Sequence, residues 1–227
     1  MAVKFKAVAF DLDGTLYPNS RFYIRLIPFV LKEQRFLRAM GRARILLRQE
    51  IGDGKIDFYD RQAGVIGEML GIPSPEAGKK IDALIYRGWE PLFNNVRLYS
   101  RIRETLDAFK NAGIRLGLLS DFPPEAKLKN LGLIDYWHAY LSSEETGFLK
   151  PHPAPFLELA KRMETEPADI LYVGNSIPYD VEGARNAGMK AALIRPWWKK
   201  QSLKGLGKDF SCFVFNDYRQ LSKYVIN

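Results

Sequence analysis

The stretch VKFKAVAFDLDGT, residues 3–15, decides how this chain folds. Val3–Phe10 is short and rich in Val and Phe, as is typical of a buried strand. The sequence DLDGT, residues 11–15, follows directly, and its polar residues and glycine predict a turn where that strand ends. The first predicted element is therefore a strand whose carboxyl end carries two carboxylates, Asp11 and Asp13, separated by one residue.

Similar apolar runs recur along the chain and alternate with helical patterns. Strands are predicted at Ile114–Leu119, Ala139–Leu141, Ile170–Val173, Ala191–Ile194 and Cys212–Phe215. Helices are predicted between several of them, at Arg101–Asn111, Ala154–Met163 and Val181–Ala187. Because strands and helices alternate with short connections, the sequence predicts an α/β fold with a Rossmann-like, mostly parallel sheet covered on both faces.

Residues 17–97 follow a different pattern, with helical periodicity and no convincing strand. One helix is predicted from Arg21 to Gln49, interrupted near Pro28 and Gly41, and others at Asp57–Leu70 and Pro75–Trp89. The predicted fold class is therefore α/β, with a Rossmann-like, mostly parallel sheet core and an inserted α-helical cap domain. We expect residues 1–16 and 98–227 to form the catalytic core and residues 17–97 to form the cap.

Composition excludes several classes of protein. The chain has 227 residues, 47% of them hydrophobic, which excludes a disordered or collagen-like chain. Its single cysteine, Cys212, excludes an internal disulfide or a Cys-rich zinc site. No apolar run approaches the roughly 18 residues of a membrane-spanning helix, and the N-terminal residues lack a signal pattern. We therefore expect a cytoplasmic protein, either a monomer or a homodimer, with no membrane as a partner.

The formal charge of +8 is concentrated in one predicted cap helix. Eight basic residues occur there with a single acid, Glu33: Arg21, Arg25, Lys32, Arg35, Arg38, Arg42, Arg44 and Arg48. The charge could belong to a solvated helix face, steer an anionic substrate, or bind an acidic partner or an anionic membrane surface. Nucleic acid is the weakest interpretation because no recognised binding module accompanies the charge.

Polar residues also follow the later strands. Ser120 and Asp121 follow the second, Asn175 and Asp180 lie after the fourth, and Lys150 precedes a predicted helix. In open α/β sheets, ligands bind beyond the carboxyl ends of the strands, so we expect these side chains to converge.

This set of groups suits phosphoryl transfer. One carboxylate can attack phosphorus, and a second can protonate the leaving alcohol and then activate water. An ammonium and a hydroxyl can hold the phosphate oxygens, and a hard divalent cation can offset the repulsion between anions. Simpler interpretations exist: Asp11 and Asp13 could form Asx-type turns, Lys150 could be a surface lysine, and Asp180 could cap the following helix.

The ordered set Asp11–Thr15, Ser120, Lys150-Pro151 and Gly174-Asn175 with Asp180 resembles the four motifs of the haloacid dehalogenase superfamily. The resemblance implies Asp11 as nucleophile and Asp13 as general acid/base. It also implies phosphate contacts at Ser120, Lys150, Leu12 and Gly14, with Ser120 and Lys150 completing the catalytic set. A Mg²⁺ cofactor would be held by Asp11, Asp13 through its carbonyl, Asn175 and Asp180.

Within that superfamily, an acid at position 13 implies phosphate monoester hydrolysis rather than dehalogenation. Leu16-Tyr17-Pro18 resembles a pyrimidine nucleotidase-like branch. Asn175 departs from the family pattern, which often has an aspartate there. We therefore expect a Mg-dependent phosphatase that acts on a small phosphorylated metabolite through an aspartyl-phosphate. The alternative is a weakly active or inactive protein of this fold whose basic cap binds an anionic partner.

Overall fold

The computed structural model describes residues 3–49, 57–94, 96–195 and 212–226. It contains a sheet of six parallel strands in the order β3-β2-β1-β4-β5-β6. The strands are β1 (Ala7–Phe10), β2 (Arg115–Ser120), β3 (Ala139–Ser142), β4 (Ile170–Gly174), β5 (Lys190–Ile194) and β6 (Cys212–Phe215). The predicted α/β class with a parallel Rossmann-like sheet is confirmed.

Helices surround this sheet and fill the segment between β1 and β2. That segment contains α1 (Asn19–Lys32), α2 (Gln34–Gln49), α3 (Phe58–Leu70), α4 (Ser74–Ile81) and α5 (Arg87–Trp89), with a π-helical stretch at Asp82–Tyr86. Later helices are α6 (Ile102–Asn111), α7 (Glu125–Asn130), α8 (Pro153–Arg162), α9 (Glu182–Asn186) and α10 (Tyr218–Ile226). In the described parts of the chain, no helix is both long enough and apolar enough to cross a membrane.

Side chains alternate between two buried layers along each strand, as period-2 geometry requires. In β1, Val8 and Phe10 pack in the cluster that contains α6 and α10 residues, whereas Ala7 and Ala9 pack in the cluster that contains α8 and α9 residues. Both faces of the sheet are therefore covered. This explains why the strand sequences are continuously apolar and do not alternate between apolar and polar residues.

The helical cap has its own buried cluster, built on α2, α3 and α4. The predicted interruptions near Pro28 and Gly41 were wrong, because α1 runs through Pro28, α2 runs through Gly41, and the break lies at Glu33. Packing explains the difference: Leu26 of α1 joins the core cluster of the sheet, whereas Phe36 of α2 joins the cap cluster. The helix break at Glu33 therefore lies between the residues that pack in these two clusters. Gly41 does not interrupt α2, since one glycine inside a helix costs only about 1 kcal/mol.

We propose that residues 17–97 form the cap and residues 1–16 and 98–227 the core. The position of the helical insertion between β1 and β2 supports this division.

Candidate active site

The sheet places its first and fourth strands side by side at the point where the strand order reverses. Phe10 at the end of β1 pairs with Val173 of β4, so Asp11 lies beside Gly174 and Asn175. On the other side, Phe10 pairs with Leu118, so Ser120 ends β2 at the same edge of the sheet. A reversal of strand order opens a crevice at the carboxyl ends of the strands, which is where such folds bind ligands.

Lys150 links the first and fourth motifs. Its Nζ lies 2.7 Å from Asp11 Oδ1 and 2.8 Å from Asp180 Oδ1, and all three side chains are buried. Burial alone would lower the pKa of Lys150, but Asp11 and Asp180 together hold it well above its ordinary value. The interpretation of Lys150 as a surface lysine is therefore wrong.

Asp11 is held on both of its carboxylate oxygens. Thr15 Oγ1 donates to Asp11 Oδ2 at 2.7 Å, while Lys150 occupies Oδ1. Burial raises the pKa of Asp11 to about 7, although Lys150 acts in the opposite direction. The fold thus fixes this carboxyl group in a buried position that positive charge helps to keep ionised.

Asp180 shapes the loop after β4. Its Oδ2 accepts hydrogen bonds from the backbone N–H groups of Asn175 and Ser176, both at 3.0 Å. The side chain therefore folds back over the preceding loop rather than capping the following helix. Gly174 allows this approach, because a Cβ there would lie 2.3 Å from the Cβ of Asp180.

Asn175 contacts the first motif through its side chain. Its Nδ2 donates to the backbone carbonyl of Asp13 at 2.8 Å. Gly14 makes room for it with a φ of +89°, and a Cβ at Gly14 would lie 1.8 Å from that nitrogen. Asn175, the residue that departs from the family pattern, therefore directly contacts the backbone of Asp13.

Asp13 is bound by two residues, Tyr17 and Lys127, that were not predicted as site residues from the sequence. The Tyr17 hydroxyl donates to Oδ1, and Lys127 Nζ lies 2.7 Å from Oδ2. Lys127 belongs to α7 and is buried between the rings of Phe93 and Phe122. Its contact with Asp13 depends on where α7 lies, 114 residues further along the chain, which no pattern in the sequence indicates.

Ser120 is fully buried, and its Oγ accepts a hydrogen bond from the Phe122 backbone N–H at 3.2 Å. The adjacent Asp121 turns the other way and accepts a hydrogen bond from Ser143 Oγ at 2.9 Å. Burial alone would raise the pKa of Asp121, but Arg48, Lys150 and Arg44 together hold it below its ordinary value of 3.8.

Two arginines of the basic cap helix face the core rather than solvent. Arg48 forms an ion pair with Asp121 and donates to the Lys150 carbonyl at 3.0 Å. Arg44 forms a buried ion pair with Glu144 and donates to the Asp121 carbonyl at 2.7 Å. In contrast, Arg35, Arg38 and Arg42 are exposed. The basic helix therefore combines a surface that docks on the core with a solvent-facing surface.

Carboxylate, carbonyl and amide oxygens, the ligand types that a hard divalent cation takes, lie at this edge of the sheet. In the parts of the chain that the structure describes, no three His, Cys, Asp or Glu residues form a group that could hold a metal. A cation would therefore depend on the Asp13 carbonyl and the Asn175 amide in addition to Asp11 and Asp180. This donor set suits Mg²⁺, which accepts oxygen ligands from few carboxylates and keeps several waters.

A buried aspartate–lysine pair beside a second aspartate lies at the crevice of a parallel sheet, which is where α/β proteins of this class bind their ligands. The family model described as haloacid dehalogenase-like hydrolase matches residues 5–188, and the chain belongs to this family.

Curated relatives of the chain are named as phosphatases. It is 30% identical to a glyceraldehyde 3-phosphate phosphatase from Methanopyrus kandleri, over 84% of each chain. It is 31% identical to a phosphoglycolate phosphatase from Nitrosospira multiformis, over 81% of this chain and 80% of that one. The predicted hydrolase is confirmed, and these relatives agree with the expected enzyme class, a phosphoric monoester hydrolase.

Solved structures share the fold. A HAD phosphatase from Thermococcus onnurineus superposes with a TM-score of 0.65 at 24% identity, covering 96% of this chain and 97% of that one. An L-2-haloacid dehalogenase from Xanthobacter autotrophicus gives a TM-score of 0.64 at 19% identity, covering 97% and 98%. Because both reactions occur on this fold, the choice between them depends on the site residues.

Proposed function

We propose that the protein is a Mg²⁺-dependent phosphatase that hydrolyses a small phosphate monoester through an aspartyl-phosphate. The observation that carries this proposal is the buried contact of Lys150 with both Asp11 and Asp180, at 2.7 and 2.8 Å. This contact brings two buried carboxylates and an ammonium to one point, which supports the proposed roles of a nucleophile and a cation beside it. The phosphatases among the relatives support the same activity.

The residues would act in two steps. Asp11 would attack phosphorus while Asp13 gives a proton to the leaving alcohol, which forms the aspartyl-phosphate and releases the alcohol. Asp13 would then take a proton from water, and the hydroxide formed would attack the phosphorus and release phosphate from Asp11. Ser120, Lys150 and the backbone amides of Leu12 and Gly14 would hold the phosphate oxygens as charge moves.

Asp11, the Asp13 carbonyl, Asn175 and Asp180 would hold Mg²⁺. The bound cation would reduce repulsion between the Asp11 carboxylate and the anionic phosphate. Asp13 distinguishes this proposal from dehalogenation, in which no alcohol has to be protonated.

Steady-state hydrolysis of p-nitrophenyl phosphate tests the proposal. We expect turnover with Mg²⁺, loss of turnover in excess EDTA, and recovery when Mg²⁺ is restored. A panel of sugar phosphates, nucleotides and small phosphorylated acids would then rank natural substrates, with nucleotides testing the nucleotidase-like resemblance. Halide release from 2-haloacids without phosphate release would refute the proposal.

A further inference from the structure

A cavity of about 560 Å³ lies between the cap and α7. The cap contributes the rings of Tyr86, Trp89 and Phe93, and the core contributes Phe122 and Lys127. A cavity of this size is in the range that accommodates a ring-containing organic ligand.

Two residues on the core side of this cavity contact candidate catalytic residues. Lys127, in its wall, lies 2.7 Å from Asp13 Oδ2. Phe122, in the same wall, donates its backbone N–H to Ser120 Oγ. An alcohol that Asp13 protonates would therefore leave from a position next to this cavity, so the cavity is placed to hold the leaving group.

Four of the twelve residues that line the cavity are aromatic. The ring centroids of Trp89 and Phe122 are 5.8 Å apart and those of Tyr86 and Phe122 are 6.5 Å apart, both in edge-to-face geometry. The Lys127 ammonium lies 4.9 Å from the Phe93 ring centroid. Such a set of fixed rings favours a further ring, which can stack or meet them edge to face.

Charge does not favour an anionic leaving group. The charged residues of the lining are two lysines and two glutamates: Lys127, Lys129, Glu90 and Glu125. Lys129 pairs with Glu125 at 2.6 Å, and Lys127 pairs with Asp13. The cavity thus has no excess positive charge in its lining for a carboxylate, such as that of phosphoglycolate.

We infer that the substrate is a phosphate monoester whose leaving group carries an aromatic ring, and that this ring binds among Tyr86, Trp89, Phe93 and Phe122. The inference rests on the proposed phosphatase function and adds the chemical class of the leaving group. A second cavity, of about 580 Å³ and lined by Leu26, Val30, Leu37 and Met40 among others, offers an aliphatic alternative on the same Trp89–Phe122 pair.

The test compares phosphate esters that all release a primary alcohol, only one of which carries an aromatic ring. The probes are 2-phenylethyl phosphate, n-octyl phosphate with the same number of carbons, and 2-phosphoglycolate. We expect kcat/KM for 2-phenylethyl phosphate to exceed that for each of the others at least about tenfold. A ratio near one, or a preference for either other probe, would overturn the inference, and a preference for n-octyl phosphate would point to the aliphatic cavity.

Two variants test which cavity binds the aromatic ring of the leaving group. Trp89→Leu should lower the ratio of 2-phenylethyl to n-octyl phosphate at least about fivefold, whereas Val30→Ala, in the second cavity alone, should leave it unchanged. An unchanged ratio in a folded Trp89→Leu protein would contradict the assignment, and if that variant does not fold, the wild-type ratio decides. Absence of p-nitrophenyl phosphate turnover with Mg²⁺ would refute the phosphatase function and this inference together, whereas turnover without ring preference would refute the inference alone.

Discussion

Arg48 of the cap forms an ion pair with Asp121 of the core, 73 residues further along the chain. Asp121 directly follows Ser120, so this contact joins the basic helix α2 to the loop that carries a candidate phosphate ligand. Arg44, one turn earlier, binds Glu144 and the Asp121 carbonyl. Part of the cap charge is therefore structural, which reduces the charge available for an anionic partner.

Removing this contact should destabilise the protein. Asp121→Asn leaves Arg48 without its carboxylate in a largely buried position, so we expect a loss of about 2 kcal/mol, or a fall in Tm of about 4–8 °C at pH 7. Differential scanning calorimetry would measure it. The control is Arg42→Leu, which changes an exposed arginine of the same helix and should shift Tm by less than about 2 °C.

The same pair predicts a pH dependence. Because the pKa of Asp121 is lower in the folded protein than its ordinary value of 3.8, its stabilisation is complete above that value and is lost as pH falls through the folded pKa. The Tm difference between wild type and Asp121→Asn should therefore shrink below about pH 3.8. A difference that stays constant down to pH 2.5 would contradict the ion pair.

Asp11→Asn should abolish turnover because an amide cannot form the aspartyl-phosphate. We expect kcat for p-nitrophenyl phosphate to fall at least about a thousandfold, while circular dichroism stays unchanged. Trapping of ³²P on the wild-type protein and not on the variant would identify the nucleophile. Full-rate turnover by the variant would exclude Asp11 from that role.

The sequence predicted the residues that lie next to strand ends, because a parallel sheet brings those ends to one edge whatever the details of packing. Asp11, Ser120 and Asn175 could be predicted as site residues for this reason. Lys127 could not, because its contact with Asp13 depends on where α7 lies, and the two residues are 114 positions apart in the chain. The helix break at Glu33 was missed for a similar reason, since the packing of α1 and α2 on different clusters determines it and local propensity does not.

The loss of kcat caused by Lys127→Met should depend on the leaving group of the substrate. Lys127 anchors Asp13 Oδ2, so its loss should misplace the proton donor and lower kcat for an alkyl phosphate about tenfold or more. p-Nitrophenyl phosphate releases a stable anion and needs little proton transfer, so its kcat should fall less. Lys127→Arg should restore part of the rate.

Lys161→Met provides the control, since Lys161 is an exposed lysine of α8 that lines neither of the two cavities. This variant should hydrolyse both the alkyl phosphate and p-nitrophenyl phosphate with the kcat of wild type. Equal losses on alkyl and nitrophenyl phosphates in Lys127→Met would indicate a general structural role and refute the positioning of Asp13.

Asn175→Asp should couple stability to Mg²⁺. The Asn175 amide donates to the Asp13 carbonyl at 2.8 Å, and an aspartate would place an anionic oxygen there instead. In EDTA we expect Tm to fall by the equivalent of about 1–3 kcal/mol, because a donor is lost and two oxygens face each other. Mg²⁺ should reverse the loss, since the new carboxylate becomes a ligand, so the Mg²⁺-induced rise in Tm should be larger in the variant than in wild type. Asn186→Asp, which changes an exposed asparagine that also donates to a backbone carbonyl, should leave that rise unchanged. An equal rise in Asn175→Asp and wild type would show that the cation does not bind beside Asn175.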